Sequence, residues 1–557
     1  MIEKIQQFIN NLNKTKLYLI LANILLVVVL IILNNLKINP LRSGDFIFFV
    51  ILTLAFALYR PGWAFLFFVG TVMLENINLV PINFGIAIRP YQLLGALILL
   101  AVAIRFFSKK LYFKLPGFEW QDYTLLLVVF SGFLSITGTS DKITSLKLAI
   151  IFATFFVLYY LVRIYIQNSE DIKRIVPFFI FSGMAVIFYG IWQSWRFMHN
   201  LANFETMPGR PNSTFAEADW LGMFIVLFIS VIYVFIYTIY NLQFTIYNQN
   251  SNDKFPMSDQ FQNPNFKVVN YKLLVTTLFL YFLLTLSLAL LVLTVSRSSW
   301  LGAFFSTIVF LWAVLTNLKL KDWQWKQAAK ITLGIVGSLV ISVAIVYAFN
   351  LTNFQLANRV QSTGTGLQKI TVSCSVMDCD CINQGLLKPD SVINSSDELE
   401  SYGCRHINLE DIENEKSQGK NVMEIYRQDP NIQTRSEIYK KSWNEIKNHP
   451  LLGIGWGSIN NVLGKDERGT GLNSSNIFLE VWLGAGIVGF LAFLVFWFYL
   501  IFNAARNFYS SDDDLQKAIF LFIMVAWFGL TIANLFNAGI LLGFLWIWMG
   551  TATIKKA

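Results

Sequence analysis

Charged residues are scarce in this 557-residue chain: Asp, Glu, Lys and Arg make up 14% of it, whereas 55% is hydrophobic. A soluble domain carries about 25% charged residues. So few charges cannot cover a water-exposed surface on all sides, which excludes a soluble globular protein. The composition instead predicts a polytopic integral membrane protein.

A cleavable signal peptide is not evident in the first residues. The first apolar run, 17–36, has the length of about 20 residues that a membrane-spanning helix needs. A signal peptide would have a shorter apolar region ending in a small-residue cleavage site. We therefore interpret this run as a signal anchor and the first helix.

Apolar runs long enough to span a membrane recur along the chain. We expect about fourteen helices, or about twelve if the short runs 46–59 and 123–138 do not span. The fold class is thus all-α, with 1–349 as an N-terminal bundle of about eleven helices, 350–473 as one large extracytoplasmic loop and 474–557 as C-terminal helices. The predicted spans are 17–36, 46–59, 62–80, 90–107, 123–138, 146–166, 175–197, 217–240, 273–296, 299–316, 330–349, 476–502, 517–533 and 535–554.

Lysine and arginine cluster in every second connection between these runs. By the positive-inside rule these connections are cytoplasmic, which predicts that both termini are cytoplasmic and that 350–473 lies outside. The same rule accounts for the formal net charge of +9 without a nucleic-acid partner.

Two polar stretches interrupt the apolar pattern. Asn241 to Asn270 is rich in Asn and Gln, and we interpret it as a mobile cytoplasmic linker. The stretch 350–473 is too long for a mere connection, so we expect it to fold or to cover something. It contains no Walker A, GxSxG or HExxH motif.

The chain has only four cysteines, and all lie in this outer loop. An even set outside the cytoplasm favours two disulfides, with three possible pairings. Zinc binding with His406 and free thiols are the alternatives, although C-x4-C-x-C is not a standard zinc spacing. The cysteines are Cys374, Cys379, Cys381 and Cys404.

Arginines also lie where the positive-inside rule does not expect them. Arg210 precedes the eighth run and Arg297 lies in a short outer turn, with Arg89 as a weaker case. Snorkelling to the interface is the structural alternative. A guanidinium binds phosphate oxygens through two parallel hydrogen bonds, so these arginines suit a lipid-linked diphosphate at the outer membrane edge.

Carboxylates accompany these arginines. Glu217 and Asp219 open the eighth run, where acidic side chains also favour the helix macrodipole. Glu480 lies about one turn inside the twelfth run.

Four segments around these residues resemble the O-antigen ligase and Wzy-type O-antigen polymerase family, in the family's order. The resemblance covers about 190–500 and includes a large loop between the second and third segments. The segments are GRPNSTFAEADWLGMF, LTVSRSSWLG, TRSEIYKKSWNEIKNHPLLGIGWGSI and SSNIFLEVWLGAGIVGFLAF.

This resemblance implies a GT-C-like, metal-independent, inverting glycosyltransferase of the bacterial inner membrane, without a cofactor. Its donor would be a glycan on undecaprenyl diphosphate at the outer leaflet. Its acceptor would be another lipid-linked repeat for a polymerase, or lipid A–core for a ligase. Family arginines that match Arg210 and Arg297 are thought to contact the diphosphate.

One position departs from the ligase pattern. Ligases have a His-Asn pair at the start of the fourth segment, with the histidine proposed as general base, whereas Ser475 and Asn476 stand here. A serine hydroxyl has no suitable pKa for that role near neutrality. His449, Glu480 and Glu217 remain as weak candidates for the base, with His199 weaker still. The missing histidine favours a polymerase or an exopolysaccharide variant, and a ligase stays the alternative.

Gly453, Gly455 and Gly457 lack the strand and lysine of a phosphate loop, so we interpret them as a tight turn leading back to the membrane. A transporter or flippase would also have many helices. It should place ionisable groups near the membrane midplane in repeated halves, and neither feature is evident.

Overall fold

A computed structural model describes the fold over residues 14–202, 209–252, 264–317, 322–352, 365–374, 389–394, 398–407, 412–465 and 471–555. Within these ranges, eleven helices are long and apolar enough to cross a membrane. The predicted all-α, multi-pass membrane fold is therefore confirmed.

In the described residues, eleven α-helices precede the large loop and three follow it. The first group comprises α1 Lys14–Asn35, α2 Ser43–Tyr59, α3 Pro61–Thr71, α4 Pro90–Phe107, α5 Trp120–Leu134, α6 Lys142–Tyr165, α7 Ser169–Met198, α8 Ala218–Asn252, α9 Pro264–Leu293, α10 Arg297–Asn317 and α11 Asp322–Ala348. The loop contains β1 Leu367–Cys374, β2 Val392–Ile393, α12 Glu398–Ser401, β3 Cys404–Ile407, α13 Ile412–Ser417, β4 Asn421–Gln428, α14 Pro430–Asn448 and α15 Ile459–Leu463. The last group is α16 Ile477–Ser510, α17 Asp514–Asn534 and α18 Gly543–Ala552.

Two predicted spans are shorter as helices than the apolar runs suggested. Helix α3 ends at Thr71 rather than residue 80, because the Asn78 side chain accepts hydrogen bonds from the backbone N–H groups of Val80 and Ile88 and holds an irregular segment. The run 535–554 is helical only from Gly543, after a 3₁₀ turn. Asn534 accepts a bond from the Gly539 N–H and stabilises that break.

The predicted linker Asn241–Asn270 is wrong at both ends. Helix α8 continues to Asn252, and α9 begins at Pro264. Extending a formed helix is easier than nucleating one, and proline suits the first helical turn. Residues 253–263 of the predicted linker lie outside the described residues.

Helix α8 is the centre of the bundle. It is buried along most of its membrane span and packs against α9, α10 and α17. Helix α16 packs against α5 and α17, while α18 packs against α6. The C-terminal helices are therefore integrated into the N-terminal bundle, and the ends of α8, α10, α16 and α17 can meet.

A small sheet forms within the large loop. Its strand order is β2-β4-β1-β3, with β1 antiparallel to both β3 and β4, and β2 parallel to β4. Ile370, Val372 and Ile425 are among the side chains of its separate apolar core. The loop therefore folds, as its length led us to expect, although we did not predict strands there.

A disulfide joins Cys374 on β1 to Cys404 on β3, at directly opposite positions of the two strands. One of the predicted disulfides is thereby confirmed. Cys379 and Cys381 lie outside the described residues, so their pairing stays a prediction.

Glu415 on α13 fastens the edge of this sheet. Its buried carboxylate accepts a hydrogen bond from the Ser373 hydroxyl at 2.6 Å and pairs with Lys420 at 3.1 Å and Arg405 at 2.6 Å. The bonds from Ser373 and Lys420, followed by that from Arg405, lower the pKa of Glu415 to about 2.

We predict that acid loosens this sheet through Glu415. Because its pKa falls from 4.5 to about 2 on folding, its contribution to stability is complete above pH 4.5 and is lost as the pH falls towards 2. Hydrogen exchange of β1 and β4, corrected for the intrinsic pH effect, should show declining protection over that interval. Glu415→Gln should reduce protection already at pH 6, whereas Glu413→Gln, an exposed carboxylate on the same helix, should not. An unchanged acid response in Glu415→Gln would contradict the assignment.

Candidate functional site

The segment that carries Arg210 is held in place by buried hydrogen bonds. Ser213 donates its backbone N–H to the Gln193 side chain and its hydroxyl to the Val186 carbonyl on α7, at 2.7 Å each. The Thr214 hydroxyl donates to the Met73 carbonyl at 2.6 Å. Helix α7 and the segment after α3 thus fix the chain just beyond Arg210.

Arg210 joins the first two motif segments. Its Nε donates to the Thr294 carbonyl at 2.9 Å, and its guanidinium lies 3.3 Å from Asp219 Oδ1 in the first turn of α8. The Ser296 side chain also lies beside Asp219, and its hydroxyl donates to Ser299 at 2.9 Å. The start of α8 and the turn before α10 therefore meet at one point.

Arg297, the first residue of α10, pairs with the large loop. Its Nη1 lies 2.9 Å from Oδ2 of Asp429, whose side chain is fully buried. Asp429 stands between β4 and α14, and its backbone N–H donates to the Gly366 carbonyl at 2.9 Å. This ion pair fastens the loop to the membrane bundle.

Arg435 on α14 brings a third guanidinium to the same region. It lies over the Phe536 ring at 6.0 Å, and its charge acts on both Asp219 and Tyr439. Burial raises the pKa of Tyr439, against the opposing effect of Arg435. The Tyr439 hydroxyl in turn lies 3.3 Å from the Ser475 carbonyl, within hydrogen-bonding distance. The third and fourth motif segments are therefore in contact.

Ser475 forms the turn into α16. Its φ of 51° lies in the left-handed region, and its N–H donates to the Asn473 side chain. Asn476 caps α16 by accepting bonds from the N–H groups of Phe478 and Leu479. The asparagine of the family pair thus has a structural role in this turn.

Glu480, a candidate for the base, is buried one turn into α16. Its Oε2 accepts the backbone N–H of Ser474 at 2.8 Å. Glu217, the second carboxylate candidate, is partly exposed and immediately precedes α8. Both lie at or near the start of a membrane helix.

The two histidine candidates lie elsewhere. His449 follows the C-terminus of α14, fourteen residues after Arg435, which corresponds to about 20 Å along the helix. His199 lies at the end of α7, where its Nδ1 is 2.8 Å from the Trp195 carbonyl. The structure therefore does not bring His449 to the guanidinium of Arg435.

The glycine-rich turn of the third segment packs into the membrane bundle. Trp456 stacks on Phe152 with 4.8 Å between the rings, and the Ile454 N–H donates to the Leu483 carbonyl. Gly486 kinks α16 with a φ of 65°, so that the Pro450 carbonyl can accept the Ile487 N–H. The close backbone contacts at these glycines are made with the bundle, in agreement with a structural turn.

Gly486→Ala should destabilise the protein strongly. A Cβ there would lie 2.1 Å from the Leu451 carbonyl oxygen, and alanine disfavours the left-handed φ. Gly337→Ala is the matched control, because Gly337 is helical and nothing lies within 4 Å of its added Cβ. Thermal unfolding in lipid nanodiscs should show a clear fall in Tm for the first variant alone. Equal Tm values would contradict the proposed packing of the turn.

Two residues of this site, Asp429 and Arg435, cannot be recognised from the sequence. Asp429 resembles an ordinary acidic residue of a polar loop, and only the fold reveals its burial. Arg435 lies within the third motif segment, but nothing local distinguishes it from the neighbouring basic residues on α14. Asp429 contacts Arg297 and Arg435 acts on Asp219 across more than a hundred residues of sequence, so these contacts are not visible in the sequence.

A comparison with known families gives a match that covers most of this region. Residues 282–494 match the family model described as O-antigen ligase, a stretch that includes Arg297, the large loop and Ser475 but begins after Arg210. The predicted family resemblance is confirmed over this stretch, and a domain of this family implies an enzyme of the glycosyl-transfer type. The comparison with curated proteins gives no significant match.

Proposed function

We propose that the protein is an inner-membrane glycosyltransferase that polymerises surface-polysaccharide repeats. Its donor is a glycan on undecaprenyl diphosphate at the outer leaflet, and its acceptor is a hydroxyl of another lipid-linked repeat. The family match supports glycosyl transfer in general. The more specific proposal rests on Arg297, which pairs with the large loop, and on Arg210, which binds Thr294 and Asp219 at the ends of membrane helices.

The site is suited to a diphosphate for two physical reasons. Guanidinium groups form paired, charge-assisted hydrogen bonds to phosphate oxygens. Helices α8 and α10 both begin here, and the N-terminal end of a helix favours a negative charge. In the proposed reaction these groups stabilise the charge that develops on the diphosphate as the sugar leaves.

The position of the charges also favours a transferase over a transporter. The site groups lie at helix ends and in the loop, whereas transporter sites are typically built near the membrane midplane. A lipid-linked donor carries its diphosphate at the membrane surface. Charged groups at helix ends therefore support a site at the depth of that diphosphate.

Ser475 in place of the ligase histidine favours polymerisation over ligation. Glycan analysis of a deletion strain tests this choice. Loss of long chains with single repeats still attached to their acceptor is expected for a polymerase. Accumulation of complete but unattached lipid-linked chains would instead identify a ligase.

Arg297→Ala should abolish glycan polymer in cells, measured relative to the amount of membrane protein. Loss of the guanidinium removes a proposed phosphate contact and also leaves the buried Asp429 carboxylate without this partner. Arg174→Ala, which removes an exposed arginine on α7, is the control and should leave polymer unchanged. Gel analysis of the surface glycan, with immunoblotting of the membranes, measures both quantities. Normal polymer in Arg297→Ala would refute the proposed role.

A further inference from the structure

We infer that Asp219 is the general base that accepts the proton of the acceptor hydroxyl. This inference rests on the proposed function. It assigns the role that the ligase pattern gives to histidine to a carboxylate on a different helix.

The position of Asp219 supports its role as the base. It lies in the first turn of α8, with Arg210 on one side and Ser296, the residue before Arg297, on the other. The guanidinium that would hold the donor diphosphate is thus 3.3 Å from the carboxylate. A donor bound there brings the anomeric carbon next to its diphosphate, and therefore close to Asp219.

The exposure of the Asp219 side chain also supports this role. The Asp219 side chain is 26% exposed, whereas that of Asp429 is 0% exposed and pairs with Arg297 inside the loop junction. Glu480 is also buried, with one carboxylate oxygen engaged by the Ser474 N–H. Of these three carboxylates, Asp219 is the one that an acceptor hydroxyl can approach.

The surrounding bonds allow Asp219 to change partner without disrupting the site. Arg210 stays anchored through its Nε bond to the Thr294 carbonyl when its terminal nitrogens turn to a diphosphate. Asp219 stays in the first turn of α8, beside Ser296. Donor binding would therefore free the carboxylate for the acceptor.

The proposed step is balanced without a further reactant. The acceptor hydroxyl gives its proton to Asp219, and its oxygen forms a bond to the anomeric carbon of the donor. The bond between that carbon and the diphosphate oxygen breaks, and the electron pair leaves with the diphosphate. Asp219 then returns its proton to water or to the released diphosphate.

Asp219→Asn separates proton transfer from donor binding, since the amide keeps the shape of the side chain but is not a base. Purified protein in nanodiscs would receive lipid-linked glycan extracted from a strain lacking the protein, and binding would be measured with undecaprenyl diphosphate alone. Turnover should fall about 100-fold or more, the usual contribution of a general base, while binding changes less than about threefold. Asp45→Asn, an exposed aspartate in the first turn of α2, is the matched control and should retain turnover.

Chemical rescue distinguishes a base from a structural partner of Arg210. In Asp219→Ala, added formate should restore part of the turnover, because a small carboxylate can enter the space left by the side chain. Absence of rescue with intact undecaprenyl diphosphate binding would overturn the assignment. Turnover in Asp219→Asn within about tenfold of the wild type would overturn it as well.

If the proposed function itself is wrong, the same experiments give a different result. Wild-type protein that neither binds undecaprenyl diphosphate nor transfers glycan would refute the proposed function itself. Loss of undecaprenyl diphosphate binding in Asp219→Asn, with normal binding by the wild type, would overturn only the role as base. Asp219 would then act by holding Arg210.

Discussion

The ion pair between Arg297 and Asp429 connects the membrane helices to the large loop. Asp429 is fully buried, and a buried carboxylate without its partner costs about 3–5 kcal/mol. That penalty strongly disfavours a folded state in which the junction of β4 and α14 is separated from the start of α10. The position of α14, with Arg435 and Tyr439 on it, follows from this contact. So does the approach of the third motif segment to the fourth.

The same region contains several charged residues, which are scarce elsewhere in a membrane protein. Asp219 and Asp429 pair with Arg210 and Arg297, so the positive charge of the three arginines is largely compensated in the site without donor. In the proposed reaction a diphosphate would replace part of this carboxylate interaction. Specificity for the donor then depends on the difference between two sets of contacts, since Arg210 gives up part of its contact with Asp219 as it gains the diphosphate.

The sequence predicted the membrane fold well because hydrophobic length is a local property. It failed where a polar side chain redirects the backbone, as Asn78 does after α3 and Asn534 does before α18. The arginines could be found because Arg210 and Arg297 violate a charge rule that operates along the chain. Asp429 and Arg435 could not, because their significance arises from contacts across more than a hundred residues. Strand formation in the loop was equally hidden, since β1 and β4 are about fifty residues apart and the intervening sequence gives no hairpin signal.

The replacement of histidine by Ser475 has a simple structural context. Residue 475 has a left-handed backbone conformation, which Asn, Asp and His adopt more readily than most other residues. The turn is held by the Asn473 side chain and the α16 cap by Asn476, so neither stabilising interaction requires a ring at position 475. A serine at this position therefore lacks the imidazole group, but the hydrogen bonds that hold the turn are still formed. In the proposed reaction the proton must then go to a group that already lies at the arginines. The partly exposed carboxylate of Asp219 meets this requirement, which gives it more significance than its position at a helix start alone would suggest.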